Sequence, residues 1–209
     1  MAVLLPAKFV FLAQPHSGSS AMVLALQDVF PEAFDLRPQH MSLADVKGGP
    51  GAGRIGQINK QRTRIYKDTP RGGMTHAATV PLAVQQAITG KERVFTVIRN
   101  PYDFLVSCYV RRGGNQSFEG FVKSYNESPY IENGRIFYHV PDCQTLLRWE
   151  NLQNELNELM RDLDLPEVPV GRHNVTADKK PWESYYTPKA FEIVNERFGD
   201  EFVDFYKQR

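Results

Sequence analysis

The run Phe9-Val10-Phe11-Leu12-Ala13-Gln14-Pro15-His16-Ser17-Gly18-Ser19-Ser20-Ala21-Met22-Val23-Leu24-Ala25-Leu26 joins two apolar stretches through a turn of small and polar residues. It reads as a buried strand over 8–13, a tight turn, and a helix over 19–29 that Pro31 ends. Such a turn aims several backbone N–H groups at one point. The helix N-terminus adds partial positive charge there, which makes the turn a seat for a phosphate or sulfate. A second run, Val94-Phe95-Thr96-Val97-Ile98-Arg99-Asn100-Pro101-Tyr102-Asp103 and on to Ser107, repeats the plan: an apolar strand, a cation at its end, then a helix. Two anion-binding strand ends in one chain point to a ligand with two separated anionic groups.

The segments around these two runs extend the pattern. Arg93–Ile98 alternates less than a half-exposed strand does and suits a central parallel strand. Pro101 at a first helical position and Asp103 in the first turn start a helix that runs to about Arg112. Gly113-Gly114-Asn115 breaks the chain, and Ser117–Tyr125 is helical with Phe118, Phe121 and Val122 on one face. Trp149-Glu150-Asn151-Leu152 leads into an amphipathic helix through Leu163, with Leu152, Leu156, Leu159 and Met160 at helical spacing. Thr187 caps the last helix and Pro188 opens it, with Phe191, Val194 and Phe198 facing inward. Residues 37–58, centred on Gly48-Gly49-Pro50-Gly51-Ala52-Gly53, read as a mobile loop of the kind that forms lids. Arg64-Ile65-Tyr66-Lys67 reads as a short strand, Thr75 as the cap of a helix across Ala77–Ile88, and 126–142 carries no readable pattern. Strands alternating with helices indicate an α/β fold with a mainly parallel sheet, and no repeat or linker divides residues 1–209, read as one domain.

A hydrophobic content of 42% with 23% charged residues is that of a globular protein, and a net charge of +1 argues against a general nucleic-acid coat. Charge is uneven locally. Between Arg54 and Arg71 stand Arg54, Lys60, Arg62, Arg64, Lys67 and Arg71 against the single carboxylate Asp68, either a solvated loop edge or a basic rim for an anionic acceptor. Two cysteines make no disulfide framework, and Cys108, inside the apolar stretch Leu105–Val110, reads as a buried core thiol. The five histidines are scattered, and no metal-ligand cluster is visible. The N-terminus is apolar but short and is interrupted by Lys8. It reads as the first strand rather than a signal peptide, and no segment approaches the roughly 20 apolar residues that cross a bilayer. A cytoplasmic protein without membrane or nucleic-acid partners is expected; oligomeric state is not legible.

Three features resemble the sulfotransferase family that uses 3′-phosphoadenosine 5′-phosphosulfate (PAPS). Pro15-His16-Ser17-Gly18-Ser19-Ser20 is similar to that family's 5′-phosphosulfate loop. Arg99-Asn100-Pro101-Tyr102-Asp103 with Val106-Ser107-Cys108-Tyr109 is similar to its 3′-phosphate motif and is the most specific of the three. Asn174-Val175-Thr176, Trp182 to Tyr186 and Thr187-Pro188 make a looser match to the tail of carbohydrate and bacterial members, and residues 31–62 and 113–142 match nothing. The resemblance implies a three-layer, P-loop NTPase-like sulfotransferase fold around a central, mainly parallel sheet. It implies PAPS as cosubstrate, 3′-phosphoadenosine 5′-phosphate (PAP) as product, no metal, and a small-molecule or glycan acceptor. Backbone N–H groups of Ser17, Gly18, Ser19 and Ser20, with the hydroxyls of Ser19 and Ser20, would hold the phosphosulfate; Arg99 and Ser107 would hold the 3′-phosphate, with Lys179 and Lys180 near its edge.

Each assignment has a plainer rival. Arg99 suits a phosphate because its guanidinium is a planar fork of donors, yet it is also placed to pair with Asp103. His16 stands where the family usually has Lys or Arg. It would support charge on the leaving phosphate, or else only shape the loop while Lys67, Arg71 or a C-terminal lysine reaches in. His76, 23 residues before Arg99, matches the family spacing for a catalytic base, with Lys67 and Asp68 as rivals or a helix-capping role instead. Trp182, Tyr185 and Tyr186 either stack on adenine or sugar or anchor the last helix. At the level of the whole protein, a non-catalytic PAPS- or PAP-binding protein is the main alternative. A small-molecule kinase is the weaker one, because the turn has only Gly18 and lacks the lysine of a phosphate-binding Gly-x-x-x-x-Gly-Lys pattern.

Overall fold

The computed structural model describes residues 2–14, 16–36, 53–54, 78–79, 90–112, 114–125, 140–171 and 179–206. The apolar N-terminal run is two strands, β1 (Ala2–Leu5) and β2 (Phe9–Leu12), paired antiparallel from Ala2–Leu12 to Leu5–Phe9. The turn between them holds Ala7 at φ 60, and the backbone N–H of Lys8 donates to the Leu5 carbonyl at 3.1 Å. Ala7 carries no turn signal of its own. Its N–H donates instead to the buried carboxylate of Glu92, which also accepts from the Gly90 N–H. A distant carboxylate therefore supplies what a local side chain usually does.

Helix α1 (Ser19–Val29) follows β2, and β3 (Phe34–Leu36) returns to pair antiparallel with β1. Two short strands, β4 (Gly53–Arg54) and β5 (Ala78–Thr79), form a separate antiparallel pair. The helix expected over Ala77–Ile88 therefore does not begin there. Thr79 and Val80 are β-branched and Pro81 disfavours helical geometry at the residue before it, all of which favour extended backbone. The remainder of that helix, the strand expected at 64–67 and most of the loop expected over 37–58 lie outside the described residues. Strand β6 (Arg93–Ile98) pairs parallel with β2 on one side and with β7 (Thr145–Arg148) on the other, as a central strand should.

The main sheet has the order β3-β1-β2-β6-β7. Four strands run one way and only β1 opposes them, so the fold is α/β with a mainly parallel sheet. Helices α2 (Pro101–Arg111), α3 (Phe118–Ser124), α4 (Leu152–Asp162) and α5 (Pro188–Tyr206) complete it. Alternate residues of each strand face opposite sides. Phe9, Phe11, Phe95, Val97 and Leu147 pack with α1 and α4, whereas Ile98 and Leu146 pack with α2, α3 and α5. The sheet is thus a middle layer, and the carboxyl ends of β2, β6 and β7 come out side by side.

Candidate anion-binding site

At the end of β2 the chain turns through His16 and Gly18, both in the left-handed region at φ 58 and φ 80. Gly18 is the N-cap of α1, which has no capping side chain, so the first N–H groups of that helix are left for another acceptor. The Ser17 hydroxyl donates to the Gln14 carbonyl at 2.7 Å, and the Ser19 hydroxyl donates to the same oxygen. Those two hydroxyls therefore stiffen the turn from within, and the Ser19 proton expected on the ligand is spent on Gln14. Ser20 is half-buried in the first turn of α1.

The end of β6 delivers Arg99 to the same place. Asn100 caps α2, its side-chain oxygen accepting from the N–H groups of Tyr102 (2.9 Å) and Asp103 (3.4 Å), and Pro101 occupies the first position. Arg99 then makes four contacts with three residues. Its Nε donates to Asp103 Oδ2 at 2.7 Å and Nη2 pairs with the same carboxylate. Nη1 donates to Ser107 Oγ at 3.2 Å and to the His16 carbonyl at 3.4 Å. Lys179 reaches the other oxygen of Asp103 from 76 residues away. The three charged side chains are 14–20% exposed, and two cations share one carboxylate, so the cluster carries net positive charge in a partly dry setting.

Arg99, Ser107, Lys179 and the His16 backbone are thus brought together. Lys180 is exposed, its backbone N–H donating to the Tyr185 hydroxyl at 3.3 Å. Trp182 stacks on Tyr102 at 5.0 Å, and the Tyr186 hydroxyl donates to the Tyr102 carbonyl while its ring meets Phe118 and Phe191. Together with Tyr185, which packs on Tyr109 and Phe118, these rings anchor the last helix. His76, Lys67, Asp68 and Arg71 lie outside the described residues.

The His16 ring stands edge-on to Phe104 at 5.7 Å. Burial, then the charges of Arg111, Arg112 and Arg99, push its pKa down from 6.5 to about 4. His16 is neutral at pH 7, and three arginines close enough to depress it mark a positive field. Burial likewise lowers Lys179, with Asp103 opposing and Arg99 adding. For His16 the stability consequence has a definite sign. The folded pKa lies below the unfolded one, so its contribution is complete above about pH 6.5 and is lost as pH falls towards 4. By pH 5 about 2 kcal/mol is expected to go. His16→Asn keeps a side chain tolerant of left-handed backbone and removes the titration. Denaturant unfolding at pH 7.5 and pH 5 should show a smaller loss in the variant; parallel losses would rule the assignment out.

Two residues with no role assigned from sequence also belong to the site. The Trp149 ring lies over Gly18, where an added Cβ would fall 1.9 Å from Cζ3. Glu150 Oε1 accepts from the backbone N–H of Asn100 at 2.6 Å. Further along α2, a cleft of about 260 Å³ is lined by Tyr109, Phe121 and Arg112, whose guanidinium sits over the Phe121 and Tyr125 rings at 5.7 and 5.5 Å. Among the described residues no helix is long and apolar enough to cross a membrane, and no group of three or more potential metal ligands occurs.

No model of a known protein family matches the chain, and no curated protein does. Among solved structures the chain is similar to the crystal structure of mouse sulfotransferase SULT7A1 complexed with PAP, at 14% identity and a TM-score of 0.43, over 95% of this chain and 89% of that one.

Proposed function

We propose that the protein is a sulfotransferase that moves the sulfuryl group of PAPS to a hydroxyl or amine of a small-molecule or glycan acceptor and releases PAP. The observation that carries this reading is the convergence of Arg99, Ser107 and Lys179 at the end of β6, beside the Gly18 turn. Two anion seats at neighbouring strand ends suit a nucleotide with phosphates on both sides of its ribose. Backbone N–H groups at Ser17–Ser20 hold the 5′ side; Arg99, Ser107 and Lys179 hold the 3′-phosphate, with the exposed Lys180 nearby. A bond forms from the acceptor oxygen or nitrogen to sulfur while the bridging S–O bond breaks. The acceptor proton passes to His76, and positive charge around the turn stabilises the leaving phosphate. The cations Arg111 and Arg112 favour an anionic acceptor.

Calorimetric titration with PAP beside ADP and AMP tests the donor site. Tight binding that requires the 3′-phosphate is expected, and Arg99→Ala should weaken it by more than about 1.5 kcal/mol. His76→Ala should bind PAP and fail to turn over. Binding indifferent to the 3′-phosphate would overturn the reading. A nucleotide-binding protein without transferase activity is the second reading, favoured by the neutral His16 where a cation is usual. PAP binding with no sulfuryl transfer to any acceptor would select it.

A further inference from the structure

Strand β7 ends beside both anion seats. Its register with β6 sets Ile98 against Arg148, so the next residues, Trp149 and Glu150, run alongside Arg99 and Asn100. Trp149 covers Gly18 in the first turn, and Glu150 holds the Asn100 N–H in the second. Arg148 is itself fixed, its N–H and its guanidinium both bonded to the carboxylate of Glu155 on α4. One rigid strand end therefore touches the two turns that the proposed nucleotide must bridge. A carboxylate at this place is notable, because negative charge beside Arg99 works against an anionic ligand. It is repaid in geometry: Asn100 both follows Arg99 and caps α2, so fixing its N–H fixes the base of the Arg99 side chain and the helix that carries Ser107 and Asp103.

We infer that Glu150 is a positioning residue for the 3′-phosphate, setting the spacing of the Arg99 seat from the Gly18 turn and with it the preference for a nucleotide that carries both phosphates. This rests on the proposed nucleotide site. It acts through Asn100 and Arg99 and need not touch the ligand.

The test compares wild type, Glu150→Ala and Glu150→Gln with PAP and ADP by calorimetry, and measures backbone amide exchange over residues 100–103 in the same three proteins. Glutamine keeps an oxygen able to accept from Asn100. Glu150→Ala should weaken PAP at least about tenfold while ADP changes by less than about threefold, and Glu150→Gln should restore the preference. A general loss of structure would weaken both ligands together, and that outcome, or an unchanged PAP preference in Glu150→Ala, overturns the inference while leaving the sulfotransferase reading intact. If wild type shows no preference for PAP, that reading fails, and amide exchange decides the positioning role. Exchange at Asn100 faster in Glu150→Ala and restored in Glu150→Gln supports it; unchanged exchange removes it.

Discussion

Gly18→Ala is expected to lower the melting temperature by about 10 °C and to abolish nucleotide binding. Two costs combine. Gly18 sits at φ 80, where a side chain costs about 1–2 kcal/mol. The new Cβ would also lie 1.9 Å from the Trp149 ring and 2.3 Å from its neighbouring carbon, so the indole must move, at a further cost of about 1–3 kcal/mol. For a chain of this length each kcal/mol is worth about 2–4 °C. Trp149 packs against the core formed with α1 and α4, so the displacement spreads into the sheet rather than into solvent. The two contributions are separable by a double-mutant cycle with Trp149→Leu. On that background Gly18→Ala should retain only the backbone cost, about 1–2 kcal/mol. Thermal denaturation of the four proteins checks it. An alanine variant that melts with wild type, or costs that simply add, would mean that Trp149 does not press on the turn.

The local parts of this site are legible in the sequence, and the long-range parts are not. Helix α1 runs over 19–29 as the pattern after the Gly18 turn indicates, and Pro101 and Asp103 announce α2 through the chemistry of a helix start. The meeting of Arg99 with Ser107 follows from helical spacing once that start is known. Lys179 is suggested only by family resemblance, because nothing local ties it to a residue 76 positions earlier. Strand β7 escapes notice because only Leu146 and Leu147 of its four residues are apolar, and β3 is three residues long. With β7 unassigned, the roles of Trp149 and Glu150 are invisible: both depend on the β6–β7 register, across about 50 residues of sequence. The β1–β2 hairpin is missed for a related reason, since its turn is satisfied by Glu92 rather than by a turn-forming residue.

Asp103→Asn is expected to destabilise the protein by about 3–5 kcal/mol and, at the same time, to strengthen its response to anions. In the ligand-free protein one carboxylate answers both Arg99 and Lys179, and all three groups are largely shielded from water. An amide of the same shape has one accepting oxygen in place of two, so it can bond only one of the cations and turns its NH2 towards the other. It neutralises neither, leaving two positive charges facing each other. The stability cost comes from that repulsion and from desolvation no longer offset by an ion pair. The same change removes the carboxylate that pairs with Arg99 and so competes with a ligand for it. The guanidinium keeps its bonds to Ser107 and the His16 carbonyl, so the seat remains oriented. A bound anion then supplies in the variant the charge that Asp103 supplies in wild type. Added PAP or inorganic sulfate should therefore raise the melting temperature of Asp103→Asn by more than it raises that of wild type, the gain growing with the logarithm of ligand concentration. Asp103→Glu, which keeps the charge, should lose less stability and show no enhanced response. A thermal-shift titration of the three proteins tests both halves. If Asp103→Asn is destabilised but no more sensitive to anions than wild type, the Arg99–Asp103–Lys179 cluster is a structural ion-pair network and not the binding seat.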